Sequence, residues 1–306
     1  MNEHEGITGR HRLVELAGRL APRHGYNATR LDGVRLLRSE AVLHDVPVLY
    51  RPGAVFVLQG RKQGMLEDQV YLYDEEYYLA VSMPVPFRMG SVASSERPLL
   101  AVYVEFDMAL AAEIAAQVTA HGDIDTDIGA GRPRSLISSQ MEAGIADVLL
   151  RLLTALGDPV EAAVLGSGIL RELHYRVLVG PQGGAMIAAL QQDGAAGRIV
   201  RSLGFLRENY SSGISVTDLA SNAGMSVPSY HSHFKEMTGS SPIQYVKAMR
   251  LHEARLMIAR RGKIADVATS VGYASTSQFA RDFRRHFGRT ASEEMKWVRH
   301  HLGEVE

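Results

Sequence analysis

The sequence predicts an α+β protein in two parts, a β-rich N-terminal half with flanking helices and an all-helical C-terminal half. Three observations predict it. Residues 32–106 are rich in β-branched and aromatic residues and break at Gly, Pro and acidic pairs at the intervals of short antiparallel strands. From residue 198 onward apolar residues recur at helical spacing, and one stretch of the sequence repeats itself. Between the two regimes lies the Gly-rich punctuation Gly180-Pro181-Gln182-Gly183-Gly184, followed by Asp193-Gly194-Ala195-Ala196-Gly197. We therefore expect a first domain over 1–180, a linker over 181–197 and a second domain over 198–306. A length of 306 residues suits two domains, each with a core of its own.

In the first half the expected strands are 34–43, 54–58, 63–66, 70–73, 77–82, 87–92 and 99–106, with Glu67-Asp68 at the tip of a tight hairpin. Seven short strands at this spacing fit a small barrel or sandwich, which limits exposed strand edges. Asp107 is placed to cap the Ala-rich helix that follows, because its carboxylate can accept the free amides of a first turn. A polar loop is expected over 121–134. Helices are expected over 135–156 and 159–179, from apolar positions such as Ile145, Val148, Leu149, Leu152, Leu153 and Leu156. Gly157-Asp158-Pro159 stops one and starts the next, so the two form an antiparallel pair. Its outer stripe suits either a dimer seam or packing on the strands.

Composition narrows the function. Hydrophobic residues make up 46% and charged residues 22%, ordinary for a globular chain, and no apolar run reaches the ~18 residues of a membrane span. The N-terminus lacks the pattern of a secretory signal, so a cytoplasmic location and no membrane partner are expected. The absence of cysteine excludes disulfides, thiolate metal sites and cysteine nucleophiles. A net charge of −1 hides a division: residues 1–197 carry 17 Lys+Arg against 24 Asp+Glu, and residues 198–306 carry 16 against 10. The basic half suits a polyanionic partner.

The repeat gives that partner a shape. Leu219-Ala220-Ser221-Asn222-Ala223-Gly224-Met225-Ser226 lies over Val267-Ala268-Thr269-Ser270-Val271-Gly272-Tyr273-Ala274, with the glycines 48 residues apart. Phe234 matches Phe283 and Gly239 matches Gly288 at a spacing of 49, so the second copy has one more residue in its turn. Each copy reads as a helix, a glycine turn and a second helix anchored by aromatic residues: Tyr230 and Phe234, or Phe279, Phe283 and Phe287. That is a helix-turn-helix, whose second helix leaves one face free for a major groove. Between the copies Pro242 starts a helix of about 18 residues, with Ile243, Val246, Met249, Ala254, Met257 and Ile258 expected on its inner face. At ~1.5 Å per residue it is roughly 27 Å long, enough to hold two reading helices about one DNA turn apart.

The C-terminal region resembles the AraC/XylS family of bacterial transcription regulators over about 198–300. The resemblance is carried by Gly239-x-x-Pro242-x-x-Tyr245, Arg250-Leu251-x-x-Ala254-Arg255, Ile264-Ala265-x-Val267-Ala268, Val271-Gly272-Tyr273-x-Ser275-x-Ser277-Gln278-Phe279-x-Arg281-x-Phe283 and Phe287-Gly288. Ala291 departs from the Pro usual in the family, and Pro228 sits in the first reading helix, where an early position tolerates it. The resemblance implies double-stranded promoter or operator DNA as partner, a structural role for Arg250, and activation more than repression, with contact to RNA polymerase.

For base reading the candidates are Pro228, Ser229, His231 and Ser232 in the first copy and Thr276, Ser277, Gln278 and Arg281 in the second. Gln pairs with adenine and Arg with guanine in bidentate fashion, which singles out Gln278 and Arg281. The alternative for Arg281 is an ion pair with Asp282 or Glu236. Lys235, Arg284, Arg285 and Arg289 are the phosphate candidates, which position without specifying.

The segments Phe56–Lys62, Val70–Tyr73, Tyr78–Pro86 and Arg97–Leu99 look like the cupin-type N-terminal domain of one branch of that family, a β-barrel that senses a ligand or dimerises. Some cupins are metalloenzymes, but residues 30–110 hold only His44, which cannot complete a two-His-one-carboxylate set, so no metal, cofactor or catalysis is expected. Gln59, Lys62, Tyr73, Tyr78 and Ser82 are the candidates for binding a small-molecule effector. The alternative is a domain that binds no ligand and serves only as a homodimerisation or protein-interaction module.

Overall fold

The computed structural model describes residues 3–121, 135–181, 183–190, 194–260 and 262–301. It has the expected α+β architecture. The N-terminal part opens with helix α1 (Glu3–Leu20) and continues through strands β1 (Gly25–Ala28), β2 (Val34–Ser39), β3 (Leu43–Tyr50), β4 (Gly53–Gln59), β5 (Arg61–Leu66), β6 (Gln69–Asp74), β7 (Tyr77–Val81), β8 (Val85–Val92) and β9 (Leu99–Glu105). Helix α2 (Met108–His121), strand β10 (Leu136–Gln140) and helices α3 (Ala143–Leu156), α4 (Pro159–Leu178) and α5 (Gly183–Leu190) complete it.

The strands form two antiparallel sheets, β1-β2-β9-β4-β7-β10 and β3-β8-β5-β6, so the expected barrel takes the form of a two-sheet sandwich. Alternation along the larger sheet serves two cores at once. Leu36, Phe56, Leu58, Tyr78, Ala80, Leu100 and Val102 point to a layer built with helices α1 to α5. Their neighbours Leu37, Val55, Val57, Leu79, Val81, Ala101 and Tyr103 point inward to Val48, Tyr50, Tyr73, Phe87 and Met89 of the smaller sheet. The helix pair therefore packs on the sheet through Leu149, Leu152, Leu153 and Leu173, while its outer side, with Val160, Val164, Leu165, Tyr175 and Val179, stays exposed.

Several expected boundaries move. The strand expected over 34–43 ends at Ser39, and β3 starts separately at Leu43, with a bulge before Val46 and Asp45 at φ 52. The helix expected from residue 135 starts at Ala143, because Leu136–Gln140 instead extends the larger sheet on β7, pairing Leu136 with Val81. Asp107 caps α2 through Ala109 and Leu110, and Asp158 caps α4 through Val160 and Glu161. The polar loop expected over 121–134 falls, beyond His121, outside the described residues. The range read as linker contains α5, whose Met186 and Ile187 join the core beneath the larger sheet.

The C-terminal part is all helix: α6 (Ala195–Asn209), α7 (Val216–Asn222), α8 (Val227–Thr238), α9 (Pro242–Ala259), α10 (Ile264–Ser270), α11 (Thr276–Phe287) and α12 (Ala291–His301). It has two small cores, one per copy of the repeat. Leu219, Ala220, Tyr230, Phe234 and Tyr245 build the first, and Val267, Ala268, Phe279, Phe283 and Phe287 the second. α9 spans both with the expected 18 residues. Of its expected inner face, Met249, Ala254 and Ile258 are buried and Val246 and Met257 half-buried, whereas Ile243 is exposed, because the first turn buries Pro242 and Tyr245 instead.

The two domains share cores. Met83, in the turn between β7 and β8, is fully buried in the first helix-turn-helix, and Trp297 of α12 packs against the sandwich interior. The Tyr245 hydroxyl donates to the Pro84 carbonyl at 2.6 Å, and Arg255 donates to that of Pro47 at 3.1 Å.

Candidate nucleic-acid interface

Each reading unit is built by local chemistry. In the first, Ser215 and Asp218 form a reciprocal capping box that starts α7, and Gly224 turns the chain at φ 61. Ser226 caps α8, with Pro228 in its first turn, and Gly239 ends it in the left-handed conformation. In the second, Gly272 turns at φ 86, Ser275 caps α11 through the Gln278 amide, and Gly288 ends it at φ 76. α8 begins three residues after its turn glycine and α11 four residues after its own, which is where the extra residue of the second copy lies. Thr290 and Glu293 cap each other's amides at the start of α12, so Ala291 occupies the first helical position, where Ala serves in place of Pro.

The aromatic anchors hold each reading helix by one side. Tyr230, Phe234, Phe279 and Phe283 are fully buried, and successive rings of α11 stand 5.4 and 4.6 Å apart. Burying such a ring contributes ~1.5–3 kcal/mol, so the opposite side can carry polar residues without loss of fold. That side holds Pro228, Ser232, Thr276, Ser277, Gln278 and Arg281, all exposed, with Ser229 and His231 half-buried. Arg281 makes no ion pair among the described residues, because Asp282 faces inward and pairs with Arg285 at 2.7 Å.

The phosphate candidates divide. Lys235, Arg284 and Arg285 are exposed, Arg285 remaining 73% accessible beside Asp282. Arg289 is half-buried, lies 3.3 Å from Glu294 and stacks 4.3 Å from the Trp297 ring, so part of its charge is met within the protein.

Two arginines of the connecting helix are structural. Arg250 donates to the carbonyls of Tyr210, Gly272 and Ser212 at 2.7, 3.1 and 2.7 Å, tying the end of α6 to the second turn. Arg255, part of the family motif but given no role by it, meets Glu294 at 2.8 Å with side-chain exposures of 9% and 3%.

In the N-terminal domain the effector candidates separate. Lys62 and Tyr73 meet between the sheets. Lys62 is 2% exposed, donates to the Tyr50 hydroxyl at 3.0 Å and lies 5.6 and 5.7 Å from the Tyr50 and Tyr73 rings. No carboxylate pairs with it among the described residues, and burial holds its ammonium below the ordinary lysine range. The same burial pushes Tyr50 up to about 12 and Tyr73 well above its usual value. Tyr78 lies on the other face of the larger sheet, tilted against Phe56 at 5.2 Å in the helical layer. Gln59 is at the sandwich rim, donating to the Pro98 carbonyl at 2.8 Å, and Ser82 is buried where its backbone meets Ser135. Those three are not gathered around Lys62, whereas Tyr50, which the sequence did not flag, is. His44 is exposed, and no group of metal-binding side chains occurs among the described residues.

Two aromatic-anchored helix-turn-helix units on one connecting helix, with polar outer faces, define a DNA-binding protein with an appended β-sandwich. Comparison with known proteins agrees. A model of the N-terminus of AraC-type transcriptional regulators matches residues 30–185, just over half the chain, and a helix-turn-helix domain model matches 219–296. The chain belongs to the AraC-type transcriptional regulators. It is similar to the lactose operon transcription activator of Staphylococcus xylosus, with 31% identity over 38% of this chain and 40% of that one. Similarity to the thermoregulatory protein LcrF of Yersinia pestis is 24% over 79% of this chain and 88% of the relative. With the former, as with the probable transcriptional regulator LumQ of Photobacterium leiognathi, the match spans about two-fifths of the relative's length. Among solved structures, ToxT from Vibrio cholerae strain SCE256 with unsaturated fatty acid bound shares the fold at a TM-score of 0.61 and 13% identity, over 89% of this chain and 96% of that one. No helix among the described residues is long and apolar enough to cross a membrane.

Proposed function

We propose that this chain is a cytoplasmic transcriptional activator that reads two successive major grooves of a promoter with α8 and α11, and whose sandwich takes up an acidic amphipathic effector at Lys62. The observation that supports DNA reading most is the exposed polar row Ser277, Gln278 and Arg281 on a helix whose other side is locked by Phe279, Phe283 and Phe287. Gln278 and Arg281 read base edges, the first helix contributes Ser229, His231 and Ser232 with Pro228, and Lys235, Arg284 and Arg285 hold phosphates. Arg281→Ala then costs ~1–3 kcal/mol on the cognate site and relaxes preference at one base pair, whereas Arg284→Ala weakens all sequences alike. Equal losses for Arg281→Ala on cognate and scrambled duplexes remove Arg281 from base reading.

The effector reading rests on Lys62. An unpaired ammonium between two sheets costs several kcal/mol of lost hydration, which a carboxylate of opposite charge offsets. The apolar walls suit a hydrocarbon body, and ToxT carries an unsaturated fatty acid on the same fold. Thermal shift against a panel of carboxylic acids tests it: saturable stabilisation of the natural chain, absent in Lys62→Met, supports the reading. A panel without any response favours the second reading, a domain that only dimerises. The exposed apolar positions Val160, Val164, Tyr175 and Val179 along α4 support that one, and sedimentation of a Val164→Glu variant tests it. Activation further requires contact with RNA polymerase, which a reconstituted transcription assay reads.

A further inference from the structure

A cleft between the two domains, distinct from Lys62 and from the base-reading residues, gathers positive charge from three elements, among them Arg285, which is also a DNA-phosphate candidate. Its volume is about 180 Å³. Arg88 of β8 lines it from the sandwich, Gln244 and Lys247 from α9, and Asp282, Arg285 and His286 from α11. Like charges set facing one another across a domain boundary are unfavourable unless something of opposite sign lies between them. Two carboxylates do part of this: Asp45 binds Arg88, and Asp282 binds Arg285. Lys247 has no ion pair among the described residues and is only half-exposed. A local surplus of positive charge remains from Lys247, and His286 beside it is held down to about 4 by burial first, then by Arg88 and Arg255.

We propose that this cleft is a binding site for a small multivalent oxyanion of the phosphate type, bridging Arg88 of the N-terminal domain to Lys247 and Arg285 of the DNA-binding domain. Each guanidinium has five N–H donors, so Arg88 and Arg285 keep donors for the anion beyond those their aspartates occupy. Lys247 supplies the uncompensated charge, and the Gln244 amide adds a neutral donor. Room for the anion is sufficient, since about 180 Å³ is well above the ~10–15 Å³ that one ordered water needs. Because the ligands come from β8, α9 and α11, the bound anion fastens the sandwich to the second reading unit.

Calorimetric titration of the full chain with inorganic phosphate at constant ionic strength, with chloride as the control, tests this. The expected result is saturable binding by the natural chain, a rise in Tm with phosphate that chloride does not reproduce, and at least tenfold weaker binding by Lys247→Ala with Lys247→Arg retaining most of it. Lys247 makes no ion pair among the described residues, and the unliganded Tm and helical circular dichroism of its Ala variant verify that it folds. Lys62→Met binds phosphate as the natural chain does, which separates this site from the effector reading. Identical responses to phosphate and chloride, or undiminished binding by Lys247→Ala, overturn the proposal. A DNA backbone phosphate could fill the same cleft: if Lys247→Ala lowers the salt slope of duplex binding while free phosphate does not bind, the cleft belongs to DNA and the proposal fails.

Discussion

Removing the charge of Glu294 leaves the buried Arg255, and the half-buried Arg289 beside it, without their acid. Glu294 is 3% exposed and lies 2.8 Å from Arg255 and 3.3 Å from Arg289. Arg255 is itself buried, with its guanidinium 5.1 Å from the Phe287 ring and 5.8 Å from that of Trp297. Burial lowers the arginine's pKa from its ordinary value, and Glu294 offsets part of that. Breaking such a pair from one side costs ~3–5 kcal/mol, because the surviving charge stays buried. Against a total stability of ~5–15 kcal/mol this is a large fraction, so Glu294→Gln lowers the urea midpoint steeply. The double variant Arg255→Met with Glu294→Met removes both charges and loses much less than the sum of the single variants. Equilibrium urea unfolding followed by Trp297 fluorescence reads all three. A loss under ~1 kcal/mol for Glu294→Gln, typical of an exposed pair, refutes the buried-network argument.

Other outcomes follow from the same geometry. Gly272→Ala places a Cβ 2.5 Å from the Ser211 carbonyl oxygen at a φ of 86, whereas Gly224→Ala at φ 61 meets open space. The first therefore destabilises well beyond the ~1–2 kcal/mol of left-handed backbone strain that the second shows, as melting curves of the pair will reveal. Phe283→Ala empties the centre of the second core and costs ~3–5 kcal/mol, with loss of DNA binding at the half-site read by α11 before the first half-site is affected. His252 and His286 face each other at 3.1 Å, and both are held below the ordinary histidine value by burial and then by positive neighbours. A histidine whose folded pKa is depressed is protonated more readily in the unfolded chain. The contribution of His286 is thus fully present above pH ~6.5 and is lost as pH drops toward about 4, by up to ~1.4 kcal/mol per unit, and His252 acts in the same direction. His286→Gln flattens that slope in pH-dependent urea unfolding.

The C-terminal architecture was legible because its signals are local. Capping serines, turn glycines and aromatic spacing all lie within a dozen residues of the helix they specify, and α9 begins at Pro242 as its sequence requires. The sandwich was less legible where pairing partners decide. Leu136–Gln140 carries helix-compatible apolar spacing, but the free edge of β7 makes it a strand. β3 escaped notice because Asp45 and Pro47 interrupt its alternation, which the bulge at Leu43/Val46 accommodates. Tyr73 and Tyr78 look alike in sequence, and only sheet register assigns one to the interior beside Lys62 and the other to the helical layer. Contacts between domains, such as Met83 in the first reading core and Arg255 on the Pro47 carbonyl, have no local signature at all.

The central claim, that one chain reads two neighbouring grooves, is tested most directly by footprinting the purified full chain on duplexes it selects from a random pool. The account predicts two protected major-groove segments on one face of the DNA, ~10–10.5 base pairs apart, with Arg281→Ala erasing base preference in one segment only. Selection of no common sequence, or protection of a single groove per bound chain, contradicts it.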